Sequence, residues 1–304
     1  MPANTPVKGA MVFVVDGINS DIFNQMLANG ELPAFKKYFV DRGLYAPRAV
    51  ANVPSVTLAN LTSIVTGQFS GHTNITGINW FDRNQLIWRD YATIAQKNKL
   101  DAEYLAPTLY EYLQDEVTFS VFFQPHRGAT KFVENWYSAG PPFYFQWYKF
   151  IDRLTLSRMD LVLELSRKQG RFPALTILYL LSPDFMAYQY GASSPQYRDA
   201  LRHSDRQIGR VLADVDRAGL LEKVNIALVS DHGHWDVQRH FNIDAFLREE
   251  IGLNLNRGHW WENDPFEGRL EDYQDVTAVP YGSGDRYWAL CMRCPRRQDG
   301  QFVG

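Results

Sequence analysis

The sequence predicts an α/β protein with a mostly parallel central sheet and helices on both faces. Two observations predict it. Four short apolar runs, Ala10–Val15, Phe119–Phe123, Leu175–Leu181 and Val224–Val229, are continuous, not alternating, which is the pattern of strands covered on both faces. Helix-period segments alternate with several of them, and that alternation produces parallel pairing, because each crossover brings the chain back to the same edge. At 304 residues, 45% of them hydrophobic and 21% charged, the chain is expected to form a single globular domain over 1–304.

The elements follow in order. Ala10–Val15 closes on Asp16-Gly17. Asn19 or Ser20 can cap a helix through Leu27, with Gly30 as its stop, and a short helix from Pro33 ends near Gly43. Leu58–Val65 is a third helix, with Leu58, Leu61 and Ile64 or Val65 on one face and Gly67 just beyond its end. The stretch from Gly77 to Gly170 breaks the alternation, and residues 78–170 are expected to form an inserted, aromatic-rich cap. Its cluster around Phe143, Tyr148 and Phe150 is expected to pack on the main sheet; lining a substrate pocket is the alternative. A membrane-surface helix is disfavoured, because the cluster lacks a Lys/Arg-rich polar face. Leu175–Leu181 is closed by Ser182-Pro183-Asp184. A helix from about Pro195 to Ala218 turns Ile208, Val211, Leu212 and Val215 to one side, and Val224–Val229 follows. The run Tyr287–Met292 reads as a last strand.

Composition narrows the function classes. A formal charge of −3 without a basic stripe gives no reason to expect a nucleic-acid polymer as a partner. Cys291 and Cys294 form a lone C-x-x-C, too few for a zinc ribbon or a disulfide framework, which fits a reducing compartment. No apolar run is long enough for a transmembrane segment, and no signal peptide is recognised; the expected location is cytoplasmic.

Three apolar runs end near an aspartate: Asp16, Asp184 and Asp231, the last followed by His232. Parallel strands bring their C-terminal tips together, so three carboxylates and an imidazole are expected in one crevice. Like charges that close raise one another's pKa values unless a cation neutralises them, and a divalent metal is the economical cation. Thr57 falls at the start of the Leu58–Val65 helix, where the backbone N–H groups and the dipole favour an anion. Two readings of it stand at this point: a metal-activated nucleophile, or a plain helix cap with Asn60 a surface residue.

Together these motifs carry a resemblance. Asp16-Gly17, Pro54-x-x-Thr57-x-x-Asn60 with Ser63-Ile64-Val65-Thr66-Gly67, and Ser230-Asp231-His232-Gly233 resemble the alkaline phosphatase superfamily, nearest its nucleotide pyrophosphatase/phosphodiesterase branch. The resemblance implies an alkaline-phosphatase-like core and one zinc held by Asp16, Thr57, Asp231 and His232, manganese being the alternative metal. It also implies a phosphothreonine at Thr57, an oxyanion role for Asn60, and a small phosphorylated substrate. Asp184 matches the first ligand of the family's other metal. The next ligand, a histidine four residues on, is Tyr188 here, and no histidine follows His259 to supply the last one. Family members generally continue further, so the two ways to complete that site are a further C-terminal portion holding the last ligand, or substitute ligands. His234 and His240 could orient ligands or substitute for a lost one, a hydrogen-bonded structural role being favoured for each; His72 is expected to be structural. The expected function is metal-dependent hydrolysis of phosphate esters, diesters favoured. The alternatives are a one-metal or metal-free relative that binds a phosphorylated ligand without turnover, and a phosphoryl-transfer enzyme or mutase.

Overall fold

The computed structural model describes residues 9–82, 87–91, 99–134, 136–239, 241–254, 278–282 and 288–292. Its centre is a sheet of five strands, β1 (Ala10–Val15), β4 (Thr118–Val121), β5 (Lys131–Val133), β6 (Leu175–Leu180) and β7 (Asn225–Val229), in the order β5-β4-β6-β1-β7. Every neighbouring pair is parallel. Two antiparallel ribbons lie outside it: β2 (Asn79–Asp82) with β3 (Ile87–Asp90), and β8 (Ala278–Gly282) with β9 (Trp288–Met292). The last apolar run is therefore a strand, paired outside the parallel sheet.

The continuous apolar runs are explained by burial on both faces. Met11, Phe13 and Val15 of β1 face one core with α1 (Ser20–Ala28) and α11 (Pro195–Arg217), which buries Ile208, Val211, Leu212 and Val215. Val14 faces a second core with Leu58, Leu61 and Val65 of α3 (Thr57–Thr66). Asn19 caps α1 by accepting a hydrogen bond from Ile22 N. The short helix α2 (Pro33–Phe35) passes into a π turn over Lys36–Val40. Gly67 ends α3 with φ +67°, the left-handed conformation that glycine adopts without penalty.

The stretch 78–170 is not uniform. It supplies β4 and β5 to the central sheet. Before them it holds the β2–β3 ribbon and the short helices α5 (Leu100–Glu103) and α6 (Leu109–Tyr112), with α4 (Ser70–Thr73) just upstream of the stretch; after them come α7 (Trp136–Tyr144), α8 (Tyr148–Ser157) and α9 (Met159–Gln169). Its aromatic residues divide. Phe143 and Tyr148 pack on Phe185 of α10 (Ser182–Tyr190), with ring centroids 5.1 Å and 4.4 Å away. Tyr144, Phe145 and Trp147 are exposed. A last described helix, α12, spans Ile243–Glu249.

Candidate active site

Sheet register brings the site together. β1 pairs β7 with Val14 opposite Val229, so Asp16 and Asp231, each two residues on, leave the sheet at the same level. Asp16 N donates to Leu180 O (2.9 Å), which sets the tip of β6 beside them. Asp184 differs from the strand-tip position expected for it. The chain turns into α10 at Ser182, and Asp184 stands in that helix's first turn, from which it still reaches the site. Asp16, Asp184 and His232 each offer a ligand atom within 4.8 Å of the others.

His232 Nε2 is the centre of the constellation. It lies 3.0 Å from Thr57 Oγ1, 3.2 Å from Asp231 Oδ2 and 3.3 Å from Asp16 Oδ1. Among the described residues, no donor hydrogen-bonds to the buried oxygens Asp231 Oδ2 and Asp16 Oδ1. Asp231 Oδ1, by contrast, accepts from His232 N at 2.9 Å and Gly17 N at 3.3 Å, which fixes the carboxylate. Three oxygens 3.0–3.3 Å from one imidazole nitrogen suit a divalent ion, since a tetrahedron with bonds of about 2.0–2.1 Å has edges of roughly 3.3 Å. A carboxylate pair, an imidazole and a hydroxyl are also the donor types that zinc accepts.

The charge balance fits a cation as well. Burial raises the Asp16 carboxyl well above its ordinary range, and the Asp184 and Asp231 carboxylates push it further. Burial also raises Asp231, with Asp184 adding to it. Tyr179 of β6 donates its hydroxyl to Asp16 Oδ2. Burial raises that phenol well above its usual value, followed by the three carboxylates, Asp16 first. It therefore acts as a neutral donor that holds one Asp16 oxygen and leaves the other facing His232. Tyr179 was barely legible in the sequence, one of two hydroxyl side chains, with Thr176, in a largely apolar strand.

Thr57 is the first residue of α3. Val56 before it offers no side-chain cap, which leaves the first-turn N–H groups open to an anion at the same end as the hydroxyl. Asn60 departs from the oxyanion role expected of it. Its amide donates to Pro54 O (3.1 Å) and Val56 O (2.9 Å), and its Oδ1 accepts from Asn52 N (2.8 Å). Both donors are committed to backbone, so Asn60 clamps the turn that presents Thr57.

His234, expected to be structural with ligand orientation or replacement as the alternatives, stands beside Asp184. Its Nε2 lies 2.6 Å from Asp184 Oδ1, and Tyr188 meets the imidazole edge-on with centroids 4.8 Å apart. His240 and His259 lie outside the described residues. His72 is exposed on α4, and His126 stacks on Phe132 at 3.6 Å; neither joins the group around His232.

Residues 10–285 match the family model for type I phosphodiesterase / nucleotide pyrophosphatase. The chain belongs to that family. It is 34% identical over 110 residues to human ectonucleotide pyrophosphatase/phosphodiesterase family member 7, covering 34% of this chain and 24% of that protein. An uncharacterized pyrophosphatase/phosphodiesterase of Schizosaccharomyces pombe is 24% identical over 227 residues, 73% of this chain and 44% of its own length. Murine ectonucleotide pyrophosphatase / phosphodiesterase 5 shares the fold, with a TM-score of 0.64 and 17% identity over 80% of this chain and 62% of that one. This phosphodiesterase-family chain thus spans less than half the length of the curated relatives it matches. Among its described residues, no helix is long and apolar enough to cross a membrane.

Proposed function

We propose that the chain is a metal-dependent hydrolase of phosphate esters, phosphodiesters favoured, with Thr57 as its nucleophile. The observation that carries this is the convergence of Thr57 Oγ1, Asp16 Oδ1 and Asp231 Oδ2 on His232 Nε2, within 3.0–3.3 Å. Asp16, Thr57, Asp231 and His232 would hold one ion, zinc before manganese, and Asp184 would belong to a neighbouring position. A bound divalent ion supplies charge neutralisation and lowers the pKa of a coordinated hydroxyl or water.

The chain's own groups do the rest. The α3 N-terminus receives the phosphoryl group and orients it over Thr57. Thr57 Oγ1 forms a bond to phosphorus, the bond to the ester leaving group breaks, and the hydroxyl proton passes through solvent to the leaving oxygen, which departs as the alcohol. Asn60 keeps Thr57 in place through the backbone turn. Water then attacks the phosphothreonine, the phosphorus–Oγ1 bond breaks, and the hydroxyl is restored. The names of the relatives, pyrophosphatase and phosphodiesterase, support a diester or pyrophosphate substrate.

The test is turnover of a chromogenic phosphodiester with added zinc or manganese, beside Thr57→Ala. The expected result is a loss of roughly 10³-fold or more in kcat for the variant, and a phosphate label on Thr57 when the wild type is quenched during turnover. Turnover unchanged by Thr57→Ala removes the nucleophile reading, and no metal-dependent turnover in the wild type removes the hydrolase reading.

A further inference from the structure

A second metal position beside the first needs donors that the α10 helix does not provide. Residue 188, one helical turn beyond Asp184 and on the same face, is a tyrosine, whose neutral phenol is a poor ligand for a divalent ion. The structure brings a different imidazole to that place. We propose that His234 is the histidine ligand of this second position, held with Asp184, so that the donor comes from the loop after β7 and not from α10. The proposal rests on the reading of the neighbouring group as a metal-dependent phosphoesterase centre.

Three observations carry it. His234 Nε2 faces Asp184 Oδ1 at 2.6 Å, with the two side chains 11% and 6% exposed, so the pair is a part-buried imidazole–carboxylate contact beside the proposed first centre. Seating an ion between the two atoms requires them to part by well under 1 Å, to the roughly 3.3 Å edge of a zinc tetrahedron. Second, the loop bearing His234 is fastened on both sides of it. Asn19 Nδ2 donates to the His234 carbonyl (2.7 Å), and the Asp236 carboxylate accepts from Ala192 N (2.6 Å) and Ser193 N (3.3 Å) just past α10. A ligand on a loop is useful only when such bonds fix its geometry. Third, Tyr188 packs edge-on against the His234 ring, so the side chain in the helical position buttresses the loop imidazole.

Space around the pair is reserved for it. Gly17, at φ +71°, passes so close that a Cβ there would lie 2.8 Å from Asp184 Oδ1 and 2.9 Å from His234 Cδ2. Asp184 is also the carboxylate that lies with Asp16 and His232 inside a 4.8 Å group.

The experiment counts ions on the whole chain. Zinc per chain is measured by mass spectrometry of elements after gel filtration, and cobalt(II) titrations of the metal-free protein are followed through the visible band. The wild type is expected to bind about two equivalents, and His234→Ala about one. His232→Ala is likewise expected to keep about one, with a different cobalt spectrum, because it retains the other centre. Adding Tyr188→His to His234→Ala is expected to restore the lost ion from the helical side. His234→Gln, checked by circular dichroism without metal, replaces His234→Ala if the latter fails to fold. An unchanged count in His234→Ala or His234→Gln overturns the proposal while the hydrolase reading stands. A wild type that binds no metal overturns both.

Discussion

Asp152 touches none of the proposed ligands, yet it sets where one of them stands. From α8 it accepts hydrogen bonds from Leu181 N (2.9 Å) and Ser182 N (3.3 Å), holding the junction from which Asp184 projects. Burial pushes its carboxyl up to about 6, against an ordinary 3.8, and the bonds from Ser182 and Leu181 offset only part of that. Below about pH 4 the group is protonated in both states, so it carries no penalty. As the pH rises towards about 6 the unfolded chain releases the proton first, and stability falls. Asp152→Asn is therefore expected to remove a downward slope between pH 4 and 6 in urea-unfolding free energies. Parallel profiles for the two proteins would refute this account. Gly17→Ala is expected to destabilise the fold by about 1–2 kcal/mol through its positive φ alone. It should also lower metal content by pushing on Asp184 and His234, measured by unfolding and elemental analysis.

At the scale of elements, the central strands were legible because burial on both faces writes a continuous apolar run, and all four runs became strands of the parallel sheet. β5 was not legible. It is three residues long, begins with an exposed lysine and carries no apolar run of its own; only pairing with β4 makes it a strand. The α3 boundaries followed from Leu58, Leu61, Val65 and Gly67, while the duty of Asn60 did not, since an amide one turn into a helix can face substrate or backbone equally well. Asp16, Asp231 and His232 were visible as strand-end chemistry. His234 stood out as a residue that could orient ligands or replace a lost one, but a histidine in a polar loop has no periodicity, and only the folded path of the loop brings it to Asp184. Two variants test these elements. Leu212→Ala, in the buried face of α11, is expected to cost roughly 2–5 kcal/mol while leaving turnover per folded molecule unchanged. Asn60→Ala is expected to cost about 1–3 kcal/mol and also to lower kcat, because the turn it clamps presents Thr57. A drop in stability with kcat intact would detach Asn60 from the presentation of Thr57.

Across the whole molecule, the proposed ligands come from positions 16, 57, 184, 231, 232 and 234, so a bound ion would tie together segments that share no local sequence. Chelation is then expected to lower the thermal midpoint and added zinc to restore it. At a free concentration about a hundredfold above Kd the linkage is worth about 2.7 kcal/mol, or roughly 5 °C. A midpoint indifferent to chelator would count against a site built into the fold. The β1–β7 pairing has a separate consequence for synthesis. The opening strand of the sheet waits for a neighbour 215 positions further along, Ala10 meeting Asn225. During translation one edge of β1 therefore stays unpaired until Asn225 and the strand it opens have left the ribosome. That exposed hydrophobic ribbon is where a nascent chain would recruit chaperones or, without them, aggregate.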